Sequence, residues 1–80
     1  MRLLIVEDEV ILRDSLAKSL GKERDVEAVF TLADAFDVVD VVAAKDIDII
    51  LMDVCTENDS SGLVAAQKVK EAYPDVRIVI

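Results

Sequence analysis

Apolar residues follow two alternating periods along the chain. Leu3-Leu4-Ile5-Val6 is a continuous apolar run closed by the acids Glu7, Asp8 and Glu9, the pattern of a short strand covered on both faces. From Glu9 the spacing changes: Leu12, Leu16 and Leu20 recur every fourth residue with Arg13, Asp14 and Lys18 between them, and Gly21 follows. Positions four apart share one face of a helix, so this predicts an amphipathic helix with glycine as its stop signal. Val26-Glu27-Ala28-Val29-Phe30 alternates as a second strand, and Leu32, Ala35, Phe36, Val39 and Ala43 mark the face of a second helix. The β-branched Val38, Val41 and Val42 pull that helix toward extended structure. Asp46-Ile47-Asp48 leads into Ile49-Ile50-Leu51-Met52, a second fully apolar run ended by an acid, Asp53, and expected to be the most buried strand. Polar residues 56–61 predict a loop. Residues 62–73 predict a helix with Leu63, Ala66, Val69 and Tyr73 on one side and Pro74 as its stop, and residues 76–80 a last strand.

The order is therefore βαβαβαβ. Strands alternating with helices of this length imply crossover connections onto a parallel sheet covered on both faces, a doubly wound α/β fold of three layers. No repeat, low-complexity tract or linker interrupts it, and residues 1–80 read as one domain.

Composition narrows the function. Hydrophobic residues make up 54% and charged residues 32% of the 80, enough for a core and too many charges for a membrane span. The apolar stretch before Glu7 is too short for a signal peptide, and a single Cys55 cannot form an internal disulfide, so a cytoplasmic location is expected. The chain has no His and no second Cys, so zinc sites and His-based acid/base catalysis are not expected. A net charge of -8, with nine Lys and Arg residues forming no stripe, repels phosphate backbones, so this segment alone is not expected to bind nucleic acid.

In such a sheet, ligands sit beyond the carboxyl ends of the strands where strand order reverses, between the first and third strands of a 2-1-3-4-5 arrangement. Both of those strands end in acids: Glu7 and Asp8 after Val6, Asp53 after Met52. Carboxylates converging there repel one another unless a cation or proton intervenes. Magnesium is suited to that place, since it takes one or two carboxylates, keeps several waters and binds phosphate oxygens. The pattern points to phosphoryl chemistry.

These residues resemble bacterial response-regulator receiver domains of two-component systems, and the resemblance runs along the whole chain. Leu4-Ile5-Val6-Glu7-Asp8-Glu9 is similar to the family's opening acidic motif, Leu12-Arg13-Asp14-Ser15-Leu16 to its first helix, Ile49-Ile50-Leu51-Met52-Asp53-Val54 to its acceptor strand, and Ser61-Gly62-Leu63 with Ala65-Ala66 to the start of its third helix. The resemblance implies a flavodoxin-like (CheY-like) fold that lacks the fifth strand and last helices. It implies that Asp53 accepts a phosphoryl group from a phosphohistidine on a sensor histidine kinase. Mg2+ would be ligated by Asp8, by Glu7 through a water, by Asp53 and by the backbone carbonyl of Cys55. The chain would catalyse transfer to itself only. Two features depart from the family: residues 55–61 replace its frequent Met-Pro, and the sequence reaches Ile80 before the hydroxyl residue and lysine expected after the fourth and fifth strands. The stretch from Cys55 to Leu63 is similar to receivers joined to helix-turn-helix domains, which suggests a transcription regulator.

Simpler roles stand beside these. Glu7, Asp8 and Glu9 could cap the first helix and complement its dipole, Asp53 could be a loop acid, Cys55 a small packed residue, and Ser60 and Ser61 caps of the third helix. Asp34, Asp37 and Asp40 recur as a solvated helix face would. Among other functions, a switch-incompetent fragment acting in oligomerisation fits the open strand at residues 77–80. An aspartate-nucleophile phosphatase would need an acid where Cys55 stands, and a flavodoxin-type nucleotide site would place phosphate against Glu7 to Glu9.

Overall fold

A computed structural model of the protein describes residues 1–52 and 61–80. The elements in chain order are β1 (Arg2–Val6), α1 (Val10–Gly21), β2 (Ala28–Leu32), α2 (Val38–Lys45), β3 (Ile49–Met52), α3 (Ser61–Ala72) and β4 (Arg77–Val79). The strands form one parallel sheet in the order β2-β1-β3-β4, with helices on both faces. This is the doubly wound, flavodoxin-like α/β arrangement expected from the alternation of periods.

The sheet separates two apolar layers. Leu4 and Val6 of β1 and Ile50 and Met52 of β3 point to one side, where they pack with Val38 and Val42 of α2 and with Ala65 and Val69 of α3. Leu3 and Ile5 point to the other side, and α1 lies there against β1 and β2. Four consecutive residues of β1, Leu3 to Val6, are buried as a result. In β3 only Ile50 and Met52 are buried, while Ile49 and Leu51 are half-buried. The most buried strand is thus β1 rather than β3. Helix coverage decides this: both strands have hydrogen-bonded neighbours on each edge, but α1 lies against β1 and β2 and leaves that face of β3 less covered.

Boundaries and faces shift where spacing alone misleads. β2 runs two residues later than the alternation suggested, because its pairing with β1 matches Arg2 to Ala28 and Val6 to Leu32, and Val26 closes a turn by donating its N–H to the Glu23 carbonyl (3.1 Å). Leu32 therefore belongs to the sheet, and α2 begins only at Val38. Phe36, expected on the helix face, is 91% exposed, and the buried residues of α2 are Val38 and Val42. Their burial outweighs a helix-propensity deficit of only a few tenths of a kcal/mol, about 0.7 at most. In α3 the buried side is Gly62, Ala65 and Val69, and Leu63 is 55% exposed. Small side chains are the ones that let a helix approach the sheet closely.

In α1, Leu16 and Leu20 are half-buried and Leu12 is 42% exposed. Gly21 is the last residue of α1 and carries no positive φ, and Lys22 caps the helix in right-handed geometry (φ -83°, ψ -13°). Among the described residues, no helix is long and apolar enough to cross a membrane.

Candidate functional site

Parallel pairing of β1 with β3 matches Leu3 to Ile49 and Val6 to Met52. The last residue of each strand therefore lies beside the last residue of the other, at the carboxyl edge of the sheet. Glu7 follows Val6 there. Asp53 and Cys55, expected to accept the phosphoryl group and to lend a carbonyl, lie outside the described residues, as does Ser60.

Glu7 is 5% exposed and is the one buried charged residue among those described. Its backbone extends the strand pairing by one step, the N–H donating to the Leu32 carbonyl at the end of β2 (3.0 Å). Its own carbonyl accepts from Arg13 Nη1 in α1 (3.0 Å). A carboxylate out of water is costly unless partnered, and among the described residues no buried side-chain oxygen or nitrogen lacks a hydrogen-bond partner. Asp8 and Glu9 are exposed. Position therefore separates three adjacent acids into one held under the surface and two presented to solvent.

The simpler role of these acids as helix caps loses ground in the structure. Glu9 occupies the N-cap of α1 with extended backbone (φ -82°, ψ 117°), yet its side chain makes no capping hydrogen bond, and no acid stands in the first turn of the helix. The Glu9 carbonyl begins the helical ladder by accepting from the Arg13 N–H (2.9 Å). Of the acids read as a helix face, Asp34 instead accepts from the Phe36 N–H in a tight turn (2.9 Å). Asp37 is the N-cap of α2, and only Asp40 is helical. All three are exposed.

The described donor set is Glu7 and Asp8, with Glu9 next along the chain. Among the described residues, no group of three or more His, Cys, Asp or Glu side chains is placed to hold a metal ion. Hard carboxylate oxygens on a rigid strand end suit magnesium, which needs few protein ligands and retains waters. Sequence reasoning missed Arg13, which it read only as a polar residue between leucines. A hydrogen bond to a backbone carbonyl leaves no mark in the type of residue that accepts it. Apolar side chains also crowd this edge: Val10 (57% exposed) and Ile11 (76%) open α1, and Leu63 (55%) follows the start of α3.

A family model described as the response regulator receiver domain matches residues 3–80. Oxygen regulatory protein NreC of Staphylococcus epidermidis is 30% identical over 80 residues, in an alignment covering 100% of this chain and 37% of the relative. The protein of the same name from Staphylococcus carnosus is 31% identical with the same coverage. The chain thus spans well under half the length of these curated relatives. No solved structure matches it.

Proposed function

The chain belongs to the response regulator receiver domain family, and from that premise we propose that it is the phosphoacceptor module of a two-component signalling system. An Asp53 carboxylate oxygen attacks the phosphorus of a phosphohistidine on a sensor histidine kinase. The P–N bond breaks, an acyl phosphate forms on Asp53, and the imidazole returns to the kinase. Asp8, Asp53 and the Cys55 carbonyl would hold a magnesium ion, with Glu7 acting through a water. The chemistry such an ion would supply is charge neutralisation, the main task in a transfer governed by positioning and electrostatics. Glu7 and Asp8 are set for this by the rigid end of β1. The protein is no enzyme toward other substrates.

One observation carries this reading: Val6 and Met52 are register partners, so the acidic segment after β1 leaves the sheet at the edge where β3 ends, one residue before Asp53 in sequence. The exposed Val10, Ile11 and Leu63 around that edge supply the apolar contact area a kinase would need. The net charge of -8 leaves DNA binding to another part of a parent regulator in the cytoplasm. Such a regulator would act on transcription.

The test is incubation of the protein with Mg2+ and acetyl phosphate, followed by intact-mass measurement. The expected result is a gain of one phosphoryl group that requires Mg2+ and disappears in Asp53→Ala. Folded protein that gains no mass would sink the reading, and steady turnover of a phosphoester would point to a phosphatase instead.

A further inference from the structure

Residue Glu7 is gripped at both ends of its backbone. Its N–H is tied to Leu32 of β2 (3.0 Å), and its carbonyl is tied to the Arg13 guanidinium through Nη1 (3.0 Å), in a partly buried setting. The backbone N–H of Arg13 also donates to the Glu9 carbonyl (2.9 Å). Residues 7–9 are therefore bracketed by a strand on one side and, on the other, by two groups of a single residue. Nothing of the kind comes from the Glu9 side chain, which makes no capping bond.

We infer that Arg13 is a positioning residue for the cation-binding acids: by clamping the Glu7 carbonyl, it fixes the direction in which Asp8 leaves β1. The inference deepens the magnesium reading above and rests on it, adding a residue that touches neither metal nor phosphoryl group. A guanidinium suits the task because its planar fork is already organised, so little freedom is lost per hydrogen bond. Groups that orient metal ligands from behind change affinity by about 10- to 100-fold when removed.

The sign of the effect separates positioning from charge. Arg13 brings a positive charge close to Glu7, Asp8 and Glu9. Acting through charge alone it would repel a cation, and its removal would tighten magnesium binding. Acting as a clamp, its removal loosens Asp8 and weakens binding.

The experiment is calorimetric titration of the protein with Mg2+ alone, for wild type, Arg13→Met and Arg13→Lys, with amide hydrogen exchange at Asp8 and Glu9 read by NMR on the same samples. Arg13→Met is expected to bind magnesium about tenfold more weakly and to exchange faster at both amides. Arg13→Lys is expected to lie between it and wild type, since an ammonium can still donate to the carbonyl. Arg13→Gln, too short to bridge the gap, replaces the methionine variant if that one does not fold. Binding as tight as wild type in Arg13→Met or Arg13→Gln, or unchanged exchange at Asp8, overturns the inference. So does an Arg13→Lys variant as weak as Arg13→Met. A wild type that takes up no magnesium defeats the phosphoacceptor reading instead, and the exchange comparison still decides whether the clamp exists.

Discussion

Asp46 ends α2 in the left-handed region, with φ 51° and ψ 54°. An L-residue pays roughly 1–2 kcal/mol for that conformation in general, and less when it is Asp or Asn. Glycine is free of the clash but loses more freedom on folding. Asp46→Gly is therefore expected to stabilise the fold by about 0.5 kcal/mol, a rise of a few degrees in Tm by calorimetry. A fall would mean that the Asp46 side chain contributes more than the backbone strain costs. Gly21 is the converse case. It sits at the end of α1 without positive φ, and a Cβ there would meet only Val29 Cγ2, at an ordinary 3.9 Å. Gly21→Ala is expected to stabilise by roughly 0.5–1 kcal/mol, the difference between these residues inside a helix. An unchanged or lowered urea midpoint would count against it. The sequence reading assigned the chain-reversing role to Gly21 because glycine is the usual residue for it. The left-handed residue is an aspartate at the end of the next helix, where composition carries no such signal.

At the level of elements, legibility follows how one-sided the environment is. β1 and β3 are the two central strands of the sheet, with α2 and α3 packed over one face of both, so their residues are nearly all apolar and their positions could be read directly. The acids Glu7 and Asp8 stood out for the same reason, as an abrupt end to such a run. β2 lies at the sheet edge with an exposed Thr31, and its bounds emerged only from its register with β1. Helix faces were misread where the largest apolar residue was not the buried one, as with Phe36 and Leu63, because close packing on a sheet favours Val38, Ala65 and Gly62. The β1–β3 pairing also sets where stability is concentrated. Ile50 is fully buried among residues of both α2 and α3. Ile50→Ala is expected to cost about 2–5 kcal/mol, against a total near 0.05–0.15 kcal/mol per residue, and so to unfold much of the population. Ile50→Val should cost only about 0.5–1.5 kcal/mol and leave a cooperative transition. Equal urea midpoints for the two variants would show that the core around Ile50 relaxes to fill the space.

For the whole molecule, coverage of the sheet is uneven. α1 lies over β1 and β2, while among the described residues β4 pairs with β3 alone. Along that flank a furrow runs between Leu12 and Leu16 of α1, Leu51 of β3, and Val79 and Ile80. The last two are 52% and 67% exposed. An edge strand offering both unpaired backbone groups and apolar side chains is a template for another chain, and burial of the furrow would favour the same contact. Opposing this is the net charge of -8, whose repulsion between copies reaches about 10 Å in 0.1 M salt and about 3 Å in 1 M. The balance gives association of the 80-residue polypeptide a distinctive salt dependence: it should strengthen as salt screens the repulsion, whereas contacts made by ion pairs would weaken. Sedimentation at rising concentration and salt measures this, and Val79→Lys, which places a charge in the furrow and on the edge, should shift the population toward monomer. A wild type that stays monomeric at every concentration and in high salt would show that the β4 edge and its furrow are too small to hold a second copy.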